Sequence, residues 1–441
     1  SHAQDPSALS IEDATDLYIK NHTELHQITD KQKLTIQSQQ AKKSVYLPKL
    51  DPLKLSYDLA NQTADASAGL KWQLPTGSTI HAQAKQSLGT EDLDQLRDYQ
   101  ETPFDFQQPT QYQLSISHDF TTSTKGKEER LAKINLEIEA LNLKDRYEKQ
   151  ILTFRKKYRE VLLQSFMMEQ QTAQAESLKA MVEHHKLQLE HGEISPLEYK
   201  KSLSNLERKA IDLLKQEREY NLSLIQLKQM MGLSYDSAIA LDDQITFNTQ
   251  IITPKDAIQQ AYSYNRPYAI SLLEKASAQL KYHIYTQKQR PSLSLEASAD
   301  QDLAIQAKVN FSMSVKDAES EYQAAEAGMQ FLHHIENAQL QEDNLKTQIH
   351  SDLIQLNYLK SLLDVTVKEL QQQQTIFKAE SIKLDYQAVS AEEFETAQQN
   401  LNQAYHDSMQ TQIQFANAKE SFYQSIGLFD SINMTTESTD E

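Results

Sequence analysis

The chain has 441 residues, of which 39% are hydrophobic, a net charge of -18, 8 glycines, 10 prolines and no cysteine. The lack of cysteine excludes disulfides, thiolate metal sites and a cysteine nucleophile. The acidic balance argues against nucleic-acid binding, because no basic stripe is available for phosphates. So few helix-breaking residues predict long uninterrupted helices. No apolar run reaches the roughly 18 residues of a membrane-spanning helix, so entry into a bilayer would require strands.

A helix is expected from Ile11, after a flexible segment at residues 1–10. Strands are expected between residues 49 and 121, where apolar and polar residues alternate with a period of two. A turn at LPTG, Leu74 to Gly77, joins two of them into an added hairpin. Such alternation fits a transmembrane sheet or a soluble sandwich. The alternating segments are residues 53–60, 70–74, 78–84 and 112–120.

A very long helix is expected next, because no proline or glycine occurs from Glu128 to Glu190. Its apolar residues step by four and three, which is the spacing of a coiled-coil seam. At 1.5 Å per residue, such a helix would be roughly 95 Å long. A turn near residues 191–196 separates it from a second helix with the same period. The seam positions are Tyr147, Ile151, Phe154, Tyr158 and Val161.

The sequence of this turn recurs about two hundred residues later. ISPLEY at residues 194–199 corresponds to VSAEEF at residues 389–394. In both, the pattern S-x-x-E predicts a capping box, in which the serine hydroxyl accepts a bond from an unpaired N–H of the new helix and the glutamate reaches back. Helices are therefore expected to restart at both turns. The capping residues are Ser195 with Glu198 and Ser390 with Glu393.

An internal duplication accounts for this recurrence. The back parts of the two halves align without gaps at a shift of 195 residues, which pairs Gly232 with Gly427. The front parts align at a shift of 243 residues, which pairs Pro48 with Pro291. The difference, 243 − 195 = 48 residues, is the extra length of the first copy. It falls among the strands, where the added hairpin and a polar loop account for it.

Each copy is predicted to contain a helix, strands, a very long helix, a turn and a long helix. In the second copy one alternating run has 13 residues, from Leu303 to Val315, which suffices for a tilted transmembrane strand. The predicted boundaries are 11–233 for the first copy (strands 49–121, tip near 191–196), 234–253 for a connecting segment, 254–428 for the second copy (strands 291–315, tip near 385–391) and 429–441 for a C-terminal tail.

This order of elements resembles the TolC-like outer-membrane factors of Gram-negative efflux pumps and type I secretion systems. The resemblance extends from about Ile11 to Leu428 and is carried by LP or RP before the strands, the G-x-I-S turn and helices that end in GL. It implies a mainly α fold with a small β part: duplicated coiled-coil helices form a trimeric α-barrel, and strands contribute to a shared transmembrane β-barrel in outer-membrane lipid. The partners it implies are a periplasmic adaptor (membrane fusion protein) and an inner-membrane transporter, with this chain as the exit duct.

The resemblance also implies roles for the two hairpin tips. The first is expected to face the adaptor, and the second to form a constriction, or gate, at the periplasmic end. At the second tip Gln387 stands where the family usually has glycine. A solvated helix start, where the helix dipole favours acidic residues, is the alternative interpretation of the gate carboxylates. The adaptor-facing residues are Gly192, Glu193, Ile194 and Ser195, and the gate residues are Asp385, Tyr386, Glu392 and Glu395.

Catalysis has little support, because the chain has no Gly-rich phosphate loop, nucleophile elbow or H-E-x-x-H motif. No metal or cofactor is expected, since the pairs His184–His185 and His333–His334 are helix neighbours that point about 100° apart. Two other classes stay open. A soluble periplasmic coiled-coil scaffold or adaptor leaves the alternating strands unexplained, and an enzyme on a helical frame needs a polar pocket that no motif indicates.

Overall fold

The computed structural model describes residues 8–43, 47–58, 63–74, 76–88, 110–120, 124–242, 245, 249–312, 318–385 and 391–429. This part of the chain is mainly α with a small β part, as predicted. Its helices are α1 (Ile11–Asn21), α2 (Thr23–Lys43), α3 (Lys125–Glu190), α4 (Pro196–Met230), α5 (Pro254–Tyr264), α6 (Arg266–Lys288), α7 (Ala318–Asp385) and α8 (Ala391–Ser425). Its strands are β1 (Lys49–Asp58), β2 (Thr63–Gln73), β3 (Ser78–Leu88), β4 (Gln111–Asp119), β5 (Ser292–Asp300) and β6 (Ile305–Ser312).

Two compact units make up the chain. Unit 1 comprises Ser1–Lys31, Asn142–Ala269 and Glu342–Glu441, and unit 2 comprises Gln32–Leu141 and Ile270–Gln341. Unit 1 holds both helical hairpin turns, and unit 2 holds all six described strands. None of the described helices combines the length and the apolar character needed to cross a bilayer.

Unit 1 contains two apolar cores built from equivalent positions of the two copies. In the first core, α1 packs with α3 and α4; in the second, α5 packs with α7 and α8. Positions separated by 195 residues are buried in both cores, because each copy uses the same coiled-coil seam. The equivalent pairs are Phe154 with Ile349, Val161 with Leu356, Leu227 with Phe422, and Met231 with Ile426.

The short helices α1 and α5 also begin and end alike. Ser10 and Thr253 cap them, each accepting a bond from the backbone N–H three residues on, at 3.1 and 3.3 Å. At their far ends, the side-chain amide of Asn21 donates to Met231 O at 2.8 Å and that of Asn265 donates to Ser425 O at 2.7 Å. Each amide therefore satisfies a carbonyl that the closing helix of its copy would leave unpaired.

Unit 2 contains a six-stranded sheet in the order β1-β2-β3-β4-β5-β6, in which every neighbouring pair is antiparallel. The register of β1 shifts between Asp51 and Lys54, next to Pro52. Proline lacks the N–H that a central strand needs, so its place at a bulge of an outer strand is the one that sheets tolerate. The added hairpin, β2 and β3, therefore lies inside this sheet, between β1 and β4.

The strands differ from the predicted ones in two places. The 13-residue run from Leu303 is not one strand: a turn at residues 301–304 precedes β6, Leu303 has a φ of 59°, and the strand is described only at Ile305–Ser312. Residues 313–315 lie outside the described part. Conversely, β2 begins at Thr63, seven residues before the predicted start. The sequence does not predict this first half, because Ala64, Ala66 and Ala68 alternate with polar residues but lack the β-branched side chains that signal a strand.

The last residues of the segment predicted to be flexible make backbone bonds. Leu9 forms a parallel bridge with Leu241. The N–H of Leu9 donates to Ala240 O at 2.8 Å, and the carbonyl of Leu9 accepts a bond from Asp242 N–H at 3.0 Å. The hydroxyl of Tyr158 donates to the same carbonyl at 2.6 Å. Residues 1–7 lie outside the described part. The predicted tail likewise starts with a packed residue, since Phe429 is buried against Ile151 and Leu152.

Candidate functional site

The first hairpin tip is a tight turn between α3 and α4. Gly192 has a φ of +76°, a conformation that favours glycine. Its N–H donates to Leu189 O at 3.1 Å, and the N–H of Glu193 donates to Gln188 O at 2.8 Å. These bonds satisfy the last carbonyls of α3. A side chain on Gly192 would meet nothing within 4 Å, so the glycine serves the backbone turn and leaves the surface of the tip open.

A capping box starts α4. The hydroxyl of Ser195 accepts a bond from Glu198 N–H at 3.2 Å, and the carboxylate of Glu198 accepts one from Ser195 N–H at 2.8 Å. The backbone bond from Ser195, and then the bond to its side chain, lower the pKa of Glu198. Pro196 stands in the first turn, where its missing N–H costs nothing. The Glu198 carboxylate therefore stabilises the start of α4.

The surface of the first tip combines apolar and charged side chains. Leu187 and Leu197 are 55% and 77% exposed, and Glu193, Lys200 and Lys201 are exposed beside them. Exposed leucines flanked by charges of both signs are typical of a protein-docking surface. Within the hairpin, His185 Nδ1 lies 2.8 Å from the hydroxyl of Ser202, and this contact links α3 to α4 about two turns from the tip.

The second tip is described only at its two sides. Asp385 ends α7, and Glu392 lies in the first turn of α8. Glu395 is half-buried and accepts a bond from the Gln399 amide at 3.2 Å. Residues 386–390, which include the predicted gate residue Tyr386 and the predicted cap Ser390, lie outside the described part, as do the side chains of Asp385 and Glu392. The gate therefore stays a prediction.

Packing around the second tip is described for its aromatic residues. The rings of Phe377 on α7 and Phe394 on α8 lie 5.3 Å apart. One turn closer to the tip, the Lys383 ammonium lies 2.8 Å from the Glu380 carboxylate on the same helix. An aromatic contact thus joins α7 to α8 near the second tip, whereas the contact between His185 and Ser202 joins α3 to α4 near the first.

The sheet of unit 2 has one apolar and one polar face, and the register shows it row by row. One row across all six strands consists of Leu50, Leu70, Ala82, Leu114, Ala299 and Ile305. The adjacent row on the other face consists of Lys49, Lys71, His81, Ser115, Ser298 and Gln306. The apolar face is not covered within the described sheet, since Leu50, Leu55 and Val309 are 82%, 73% and 67% exposed.

A buried charged cluster in unit 1 joins the two copies, and sequence reasoning missed it. Glu420 on α8 accepts bonds from Arg159 at 2.8 and 2.5 Å and from Arg155 at 3.1 Å, both arginines being on α3. Arg159 also donates to Asn417 at 2.8 Å. Burial alone would raise the pKa of Glu420, but the bonds and charge of Arg159 and the charge of Arg155 lower it overall.

A second buried pair joins Arg266, at the start of α6, to Glu148 on α3 through two bonds. Both side chains are almost fully buried. Since buried charges need partners, these clusters have a structural role. No group of three or more histidine or acidic side chains in the described part is arranged to hold a metal ion.

Several solved structures of outer-membrane channels share the fold of this chain. No protein-family model and no curated relative matches the sequence. Among solved structures, the Campylobacter jejuni CmeC outer membrane channel is 14% identical with a TM-score of 0.64, covering 97% of this chain and 89% of that one. The outer membrane protein VceC from Vibrio cholerae is 11% identical with a TM-score of 0.62, covering 95% and 96%. The open state of the Neisseria gonorrhoeae MtrE outer membrane channel is 10% identical with a TM-score of 0.63, covering 95% and 89%. The chain therefore has the TolC-like fold of these outer-membrane channels.

Proposed function

We propose that this chain is the outer-membrane exit duct of a tripartite efflux pump or a type I secretion system. In this role it carries substrates from a periplasmic adaptor and an inner-membrane transporter to the exterior. The observation that carries the proposal is the two-faced sheet, found on a fold like that of outer-membrane channels. The same likeness favours transport over catalysis, because the similar solved structures are channels.

Lipid is the environment that the apolar face fits. The strands of the sheet have 8 to 11 residues, which is close to the roughly 9–11 residues of a tilted transmembrane strand. A soluble sandwich would need a second sheet over this face, but all six described strands belong to one sheet. The opposite polar face would then line an aqueous lumen, as in outer-membrane barrels.

Several copies are needed to close the wall. Among the described strands, the outer strands β1 and β6 each have a neighbour on one side only, and unpaired backbone groups in hydrocarbon cost several kcal/mol each. Because six is even, β6 of one copy runs antiparallel to β1 of the next, so a head-to-tail ring can close. The resemblance to TolC-like proteins supports three copies.

The helical hairpins would form the periplasmic part. The exposed leucines and mixed charges of the first tip favour contact with the adaptor. The acidic residues of the second tip, Asp385, Glu392 and Glu395 with Tyr386, would form the constriction. Three copies of -18 give -54, and the lumen would carry part of this negative charge.

Fractionation with a matched pair of variants tests the proposal. The parent is expected in the outer membrane and, in mild detergent, as a trimer of 3 × 50.5 = 151.5 kDa. Ala82→Arg places a charge on the apolar face, which costs about 2–4 kcal/mol near the middle of a bilayer, and should prevent insertion. Gln83→Arg, one residue away on the polar face, should insert normally. A protein that stays soluble and monomeric without detergent would instead be a periplasmic scaffold.

A further inference from the structure

The β2–β3 hairpin is the largest difference between the two copies in the sheet. The second copy has two strands, β5 and β6, whereas the first has four. If the hairpin lay outside the barrel wall, each copy would give β1, β4, β5 and β6, and three copies would give 3 × 4 = 12 strands. If it lies in the wall, three copies give 3 × 6 = 18.

Both faces of the sheet continue through the hairpin. On the apolar face, Trp72 of β2 and Ile80 of β3 are paired, and Ile80 is paired in turn with Ile116 of β4. On the polar face, Gln73 and Thr79 lie next to Ser117 in the same way. A hairpin exposed to water on both sides has no physical reason to keep one face apolar, and one that lies in a membrane wall must do so.

A polar clip fixes the hairpin to β1. His81 Nε2 on β3 reaches across β2 and lies 2.7 Å from Asp51 Oδ2 on β1. Gly69 of β2 lies beneath this contact: a side chain there would approach His81 Nε2 to 3.3 Å and the Ala82 carbonyl to 2.8 Å. The glycine thus makes room for a bond that joins three consecutive strands.

A second set of contacts joins β2 to β3 on the same face. The Asp65 carboxylate of β2 accepts a bond from the Ser87 hydroxyl at 2.6 Å and lies 3.0 Å from the Lys85 ammonium. At the other end of β3, on the opposite face of the sheet, the Ser78 hydroxyl lies 2.7 Å from His118 of β4. Polar bonds therefore connect the hairpin to both neighbours, β1 and β4.

We propose that the hairpin is part of the lipid-facing wall, so that each copy gives six strands and the outlet is an eighteen-stranded barrel, closed by pairing of β6 with β1 of the next copy. This inference rests on the proposed trimeric duct. Barrel diameter grows roughly linearly with strand number, so the outlet is about 1.5 times as wide as a twelve-stranded one and about twice its area.

Disulfide mapping tests the wall directly, since the chain has no cysteine of its own. Thr79→Cys with Ser117→Cys pairs β3 with β4, and Lys49→Cys with Lys71→Cys pairs β1 with β2; both pairs are aligned in the register. Lys49→Cys with Ser115→Cys is the control. These two residues share a row but are three strands apart, about 14 Å, beyond the reach of a disulfide.

In the trimer isolated from outer membranes, the first two pairs should close and the control should stay reduced. Images of the barrel in cross-section should show eighteen strands. A trimer in which the control closes, or which shows twelve strands, overturns the six-strand wall and leaves the duct standing. A protein that forms no trimer overturns the proposed function on which this inference rests.

Discussion

The three glycines that end α3, α4 and α8 provide a graded test of the fold. Gly192, Gly232 and Gly427 have φ values of +76°, +69° and +79°, so alanine is strained at all three. Their surroundings differ. A Cβ on Gly192 meets nothing within 4 Å, one on Gly232 comes within 2.6 Å of Asn21 Cβ, and one on Gly427 comes within 2.7 Å of the backbone carbonyl of Tyr264.

The expected loss of stability in each alanine variant follows from these distances. The left-handed conformation costs alanine about 1–2 kcal/mol, which is the whole expected effect of Gly192→Ala. Overpacking adds about 1–3 kcal/mol at the other two sites. Gly427→Ala should be the most damaging, because the new Cβ would overlap several atoms that the backbone holds in place, Tyr264 Cβ and the Tyr264 carbonyl group, whereas at Gly232 only Asn21 Cβ lies that close. Gly232→Ala also displaces Asn21, whose amide is bonded to Met231 O at 2.8 Å.

Urea unfolding of the detergent-solubilised protein, followed by helical circular dichroism, measures these losses. The unfolding midpoint should fall least for Gly192→Ala, more for Gly232→Ala and most for Gly427→Ala. Gly192→Ala is the matched control, because it carries the same backbone strain without the contact. Equal shifts for Gly192→Ala and Gly427→Ala would show that α8 does not end against Tyr264 as described.

Three further predictions concern charge. Glu420→Gln should destabilise the protein by about 3–5 kcal/mol, because it leaves two buried arginines without a carboxylate. Since folding lowers the pKa of Glu420, the stability that its charge contributes is present above the ordinary carboxyl pKa and is lost as the pH falls through the lowered value. The loss of stability in acid should therefore be smaller in the variant than in the parent. In the proposed duct, the net negative charge of the three chains should make the lumen favour cations, which reversal potentials under a KCl gradient measure; anion preference would contradict this. Replacing Glu392 and Glu395 with alanine should change single-channel conductance or its sensitivity to divalent cations, whereas Glu193→Ala should mainly reduce adaptor-dependent transport; unchanged recordings from the double variant would place the gate elsewhere.

Local patterns predicted most of the helical structure. The seam residues Phe154, Tyr158 and Val161 are buried as expected, because helical periodicity depends only on neighbours in sequence. The bonds between Ser195 and Glu198 are equally local. The first half of β2 was missed since its alanines carry little strand signal, and the start of β6 was misplaced because Leu303 adopts a conformation that the alternating pattern conceals.

The buried ion pairs could not be predicted from such patterns. Glu420 is 261 residues from Arg159, and Arg266 is 118 residues from Glu148, so no local spacing connects them. In the sequence each of these residues looks like a charge on a solvated helix face. Only the packing of α3 with α8 and of α3 with the start of α6 shows that they are enclosed.

The Arg155–Arg159–Glu420 cluster also makes the two copies non-interchangeable. The position of the first copy equivalent to Glu420, 195 residues earlier, is Ile225, and the positions of the second copy equivalent to Arg155 and Arg159 are His350 and Ile354. A gene with two tandem first copies would enclose two guanidinium groups against isoleucine. One with two second copies would enclose a carboxylate without its arginines. The chain therefore needs one copy of each kind to pair the charges of this cluster.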